Sequence, residues 1–205
     1  MDYIDGKTLM QLVEEQGKQS ESAVIGWAKQ LCDIIGYLHS QEPPIIHNDI
    51  HPQNIMLKNN GNLSLIDFGA SIERTIDQPL PDRRETTLLT APEALNGNID
   101  TSSDIYSLGA SLYVLLSGID PSKPPYSFPL LHEANPRLSA GIVYIIQKSM
   151  KRNPESRYQS IDEMRKDLDE IDTINARLSK NPDKTDTITA EPKKKRGIFG
   201  IFFKK

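Results

Sequence analysis

His47-Asn48-Asp49-Ile50-His51-Pro52-Gln53-Asn54 is the stretch on which the reading of this chain turns. Asp67-Phe68-Gly69 and Ala91-Pro92-Glu93 follow it in order. Between the first two runs lie the short apolar segments 55–57 and 63–66. They flank Asn60-Gly61, a dipeptide that accepts positive φ and so predicts a hairpin turn. Upstream, Val24, Trp27, Leu31, Ile34, Ile35 and Leu38 recur at helical spacing and predict a helix over 20–41 with one buried face. Pro43-Pro44 ends it, because proline lacks the amide donor and restrains the residue before it. Downstream, 68–90 is polar and irregular, with Pro79 and Pro81, and predicts a long loop of the kind that carries function.

The remainder predicts helices. Residues 104–117 place Ile105, Leu108, Leu112, Leu115 and Leu116 around most of a cylinder, as a central buried helix would. Residues 119–137 are proline-rich and predict loop with at most a short helix. Residues 139–150 carry Ile142, Val143, Ile145, Ile146 and Met150 on another helix. Ser160-Ile161-Asp162-Glu163 is a capping-box signature. It opens a final helix with Ile161, Met164, Leu168 and Ile171 on one face. Residues 180–192, with Pro182 and Pro192, read as a linker. The expected architecture is mainly α. A helical lobe with a small β-hairpin fills 1–178, and a flexible linker with a disordered basic and aromatic tail fills 179–205.

A 205-residue chain with 37% hydrophobic and 25% charged residues has the make-up of an ordinary globular protein. No stretch approaches the roughly 18 apolar residues that span a bilayer. The first residues hold neither a basic region nor an apolar run, so no secretory signal is expected there. The net charge of −4 is unevenly spread. Residues 193–205 hold six of the 24 Lys and Arg and no acid, which leaves 18 bases against 28 acids, or −10, in 1–192. An acidic body argues against nucleic acid as a partner. The single cysteine, Cys32, excludes an internal disulfide framework and a cysteine-cluster metal site. It falls inside a helical pattern and reads as a buried structural thiol, which suits a reducing, cytoplasmic location.

Taken in order, the motifs resemble those of the protein kinases. The chain resembles the C-terminal lobe of a eukaryotic-like, bacterial-type Ser/Thr protein kinase, over about residues 1–175, with the N-terminal lobe absent. Phosphoryl transfer asks a protein to clamp phosphates with metal, aim the nucleophile and offer a carboxylate for its proton. The resemblance implies that Asp49 is the catalytic base and that Asn54 and Asp67 hold Mg²⁺. An oxygen-only pair suits such a hard cation. The likeness also places Met1 at the gatekeeper position, Asp2 and Ile4 where hinge backbone groups bond adenine, and Met56 under the adenine ring. Asp104 would brace the backbone of the catalytic loop, and Arg157 would pair with Glu93; both roles are structural. ATP and Mg²⁺ are the implied cofactors, and protein Ser or Thr hydroxyls the implied substrate.

The pattern also departs from the family. No Gly-x-Gly-x-x-Gly occurs in the chain, and the phosphate-binding Lys and its Glu partner have no counterpart. The chain alone is therefore expected to be inactive or weak, with a small lobe supplied by a longer product or by a donor chain. Asn48 stands where the family has an arginine that reads a phosphate on the activation loop, so activation through Thr75, Thr86 or Thr87 is not expected. His51 stands where a lysine neutralises the γ-phosphate, and as a catalytic-loop residue it is expected to donate one hydrogen bond there with less charge. Glu85 replaces the glycine usual before Thr86, and the substrate-docking helix near Pro129-Leu130 is expected to be short. Two other readings stay open. One is a small-molecule phosphotransferase of the aminoglycoside or choline kinase type, which carries an H-x-D-x-H-x-x-N loop. The other is a pseudokinase-like scaffold. The tail, Lys193-Lys194-Lys195-Arg196-Gly197-Ile198-Phe199-Gly200-Ile201-Phe202-Phe203-Lys204-Lys205, reads as a solvated end or as a peripheral membrane contact.

Overall fold

The computed structural model describes residues 5–73, 88–124 and 126–180. Strand β1 (Gly6–Thr8) leads into helix α1 (Leu9–Gln16). Thr8 caps α1 in a capping box with Gln11, and Leu9, Met10, Leu12 and Val13 form its buried face. Helix α2 (Glu21–His39) is capped by Ser20 and buries Val24, Ala28, Leu31, Cys32, Ile35 and Leu38. Strand β2 (Ile45–Ile46) then delivers the loop from His47 to Asn54.

The hairpin falls where the sequence places it. Strand β3 (Ile55–Lys58) pairs with β4 (Leu63–Leu65) around Gly61, whose φ is 83°. β1 adds to the other edge of β3, giving a three-stranded antiparallel sheet in the order β1-β3-β4. Within the long predicted loop a further strand, β5 (Ile72–Glu73), pairs back onto β2. Residues 74–87, the middle of that loop, lie outside the described residues, as do 181–205 of the linker and tail.

Helix α3 (Thr101–Ser117) is the centre of the lobe. Every residue from Ser103 to Ser117 is buried, so it is the central buried helix expected, with Asp104 and four serines among its apolar residues. It starts three residues ahead of the predicted 104 because Asp100 and Ser103 form a capping box. Gly109 lets α5 (Ala140–Ser149) lie directly against it: a Cβ at Gly109 would sit 2.1 Å from the Ser149 hydroxyl oxygen. Between them, α4 (Leu131–Ala134) is a single four-residue turn.

One expectation is corrected. The predicted final helix is two helices, α6 (Ile161–Asp169) and α7 (Ile171–Lys180), that part at Glu170. Helix α6 packs on α2, whereas α7 packs on α5, where the Asn175 side chain accepts the Gly141 amide at 2.6 Å. The turn at Glu170 sets Ile171 beside Gly141 of α5. Ile171 therefore opens α7 instead of extending the apolar stripe of α6.

Candidate active site

The site hangs from one buried carboxylate. Asp104 lies in the first turn of α3 with no exposure to solvent. It accepts the backbone N–H of His47 at 2.9 Å and of Asn48 at 2.8 Å. His39, in the last turn of α2, places Nε2 2.9 Å from the same carboxylate. A buried charge is tolerable only when hydrogen bonds replace water, and this one fixes the start of the loop to two helices.

His47 then joins two motifs. Its ring is fully buried, and burial holds its pKa below the ordinary 6.5. The neutral ring serves both neighbours: Nδ1 accepts from the Asp49 amide at 3.3 Å, and Nε2–H donates to the Ile66 carbonyl at 3.2 Å. The Phe68 ring meets it edge-on, with centroids 4.7 Å apart. One imidazole thus ties the backbone at Asp49 to the backbone just ahead of Asp67.

Asn54 completes the loop. It closes the 3₁₀ turn Pro52–Asn54, donates its amide to the His51 carbonyl at 2.8 Å and accepts from Ile66 N–H at 2.9 Å. Its side-chain nitrogen donates to the Asp49 carbonyl and to Asp49 Oδ2, each at 3.0 Å. Asp67 has φ 61°, a left-handed conformation that Asp tolerates better than most residues, and its Oδ1 accepts from Gly69 N–H at 3.1 Å. His51 Nε2 stands 3.4 Å from Asp49 Oδ2, while its buried Nδ1 finds no partner among the described residues. Met56 lies half-buried in the middle strand of the sheet, opposite Thr8 and Ser64. Met1, Asp2 and Ile4 fall outside the described residues.

A second cluster backs the segment that ends in Glu93. Arg157 pairs with Glu93 through both guanidinium nitrogens at 2.7 Å. Its remaining N–H groups reach the carbonyls of Lys151, Ser102 and Arg152 at 2.6, 3.0 and 3.1 Å. All five donors of a side chain with no exposure are used. Tyr106 offers its ring face 4.9 Å from the guanidinium carbon.

Residues 1–187 match the family model described as the protein kinase domain. The chain belongs to the protein kinase family. Its curated relatives are Ser/Thr kinases. PknB of Mycobacterium tuberculosis (strain H37Rv) is 30% identical over 184 residues, covering 82% of this chain and 29% of the relative. Probable kinase CA_C1728 of Clostridium acetobutylicum is 31% identical over 188 residues, covering 85% and 28%. PknB of Mycobacterium leprae is 32% identical over 185 residues, covering 82% and 29%. The chain spans less than a third of the length of these relatives. The PknI kinase domain of Mycobacterium tuberculosis superposes with a TM-score of 0.66 at 23% identity, over 83% of this chain and 64% of that one, a likeness of fold.

Within this kinase lobe, Asn54 and His51 of the sequence reading lie beside Asp49, whereas His39 is a contact that the reading overlooks. Its only sequence signal is a histidine in the last turn of the helix that precedes the loop. Cys32 is 2% exposed, and burial pushes its thiol up to about 12, which makes it the inert structural residue expected. No helix among the described residues is long and apolar enough to cross a membrane.

Proposed function

We propose that this lobe supports transfer of the γ-phosphoryl group of ATP to Ser or Thr hydroxyls of a protein. Asp49 takes the proton of the hydroxyl nucleophile. Asn54 commits its amide nitrogen to Asp49, so its carbonyl oxygen remains as a donor to a cation, and Asp67 brings a carboxylate. Two oxygen donors are a partial set, which suits Mg²⁺, an ion that fills its remaining positions with water and substrate phosphates. Among the described residues there is no cluster of three or more His, Cys, Asp or Glu that would hold a metal by protein ligands alone. Bound Mg²⁺ would neutralise charge on the phosphates. Asp2, Ile4 and Met56 are proposed to line the adenine site.

The observation that carries the reading is the His47 bridge, 3.3 Å to the Asp49 amide and 3.2 Å to the Ile66 carbonyl. It couples the base to the segment bearing the metal-binding carboxylate, as in-line transfer requires. The bidentate Glu93–Arg157 pair favours protein kinase chemistry over the small-molecule phosphotransferases. The Gly-rich loop and phosphate-binding Lys are proposed to come from a small lobe outside these 205 residues, and residues 193–205 to touch anionic membrane surface. The test is transfer of labelled γ-phosphate to a generic protein substrate, with and without an added kinase small lobe. Mg²⁺-dependent transfer with the lobe, and little without it, is expected. Neither transfer nor Mg-ATP binding in either condition would overturn the reading in favour of a scaffold.

A further inference from the structure

Asn48 occupies the loop position next to the base, where the family carries a phosphate-reading arginine. Its backbone is left-handed, with φ 62°, a conformation open chiefly to Gly, Asn and Asp. It is 5% exposed, and its amide is held by Asp104 at 2.8 Å. From there its side-chain nitrogen donates to the Ala70 carbonyl at 3.2 Å. The next residue answers in the other direction: the Ser71 hydroxyl donates to the His47 carbonyl at 3.3 Å. Immediately afterwards β5 pairs with β2, Ile72 opposite Ile46 and Glu73 opposite Ile45. The segment leaving Asp67 is thus bound to the base-bearing loop by neutral hydrogen bonds on both sides.

We infer that Asn48 is a positioning residue that holds the segment after Asp67 against the catalytic loop through the Ala70 carbonyl, so that Asp67 is set without a phosphate downstream. The inference deepens the kinase reading and rests on it. The residue type follows from the geometry. The left-handed backbone aims a short side chain at Ala70, an amide can donate there, and no charge has to be neutralised in a buried place. Glycine would keep the backbone and lose the donor. Aspartate would keep the backbone preference and set a carboxylate against a carbonyl.

The test measures backbone hydrogen exchange on the 205-residue chain, comparing peptides from 67–73 with peptides from α3. In Asn48→Gly, exchange in 67–73 should be roughly tenfold faster, the effect of losing one partly buried hydrogen bond, with α3 unchanged. Asn48→Asp should be at least as fast there. Equal protection of 67–73 in wild type and Asn48→Gly would overturn the inference, and so would equal acceleration in α3, which marks a general structural role. A second arm uses the protein supplemented with a small lobe. There, joint replacement of Thr75, Thr86 and Thr87 by Ala should leave transfer intact, and loss of transfer would overturn the inference. The exchange arm needs no turnover, so its outcome is separable from that of the kinase reading.

Discussion

The cluster around Arg157 and the loop around Asp49 are both polar, yet they are built on opposite terms. Arg157 has no exposure and spends all five N–H donors on Glu93 and three carbonyls. The Asp49 side chain is 36% exposed, its His51 neighbour stands at 3.4 Å, and the buried His51 Nδ1 has no partner among the described residues. A buried charge left unpaired costs far more than its partner's net contribution, so the first cluster can be kept only whole. A half-open carboxylate pays no such penalty and can be traded against substrate. The difference separates residues that hold the lobe from residues that await a ligand.

Breaking the buried cluster should give the largest effect. Arg157→Ala would strand Glu93 and lower unfolding stability by about 3–5 kcal/mol, read from the denaturant midpoint. If Arg157→Ala unfolds within about 1 kcal/mol of wild type, the pair is no more than a surface bridge. Next comes the contact between α3 and α5. Gly109→Ala should cost about 1–3 kcal/mol through overpacking against Ser149, with part recovered in the Ser149→Gly background.

The sequence made the first cluster easy to see and left two contacts of the second hidden. Glu93 and Arg157 are paired in advance by the resemblance to the kinase family, and the structure shows the pair. The hairpin, α2 and α5 are legible for a different reason: their apolar periods match their secondary structure. Helix α1 was missed although Thr8 and Gln11 spell its capping box, since eight residues give the periodicity too little length. The break at Glu170 has no proline or glycine to announce it. His39 and the Asn48–Ala70 bond depend on tertiary approach, which residue order does not display.

A smaller effect should mark the boundary between the two regions. His47 is buried and neutral, and its folded pKa lies below the 6.5 of the free side chain. The unfolded chain therefore binds the proton first as pH falls. Stability from this group should be complete above about pH 6.5 and should decline as pH drops through it. The urea midpoint of wild type between pH 7.5 and 5.5 should show that slope, and His47→Gln should reduce it. An unchanged slope in the variant would place the acid sensitivity elsewhere.

The smallest effect belongs to the loop's rim. His51→Ala should change stability by no more than about 0.5 kcal/mol, since it removes a ring with one weak contact and one orphaned nitrogen. A loss above about 2 kcal/mol would mean that His51 is part of the scaffold and would erase the contrast drawn above.

The most direct measurement is the transfer rate of Asp49→Asn relative to wild type, in the presence of a small lobe and Mg²⁺-ATP. A positioned general base contributes about 10²–10⁴-fold, so the variant should lose at least two orders of magnitude while its unfolding midpoint stays put. Transfer at the wild-type rate by Asp49→Asn would contradict the assignment of this loop as the site of chemistry.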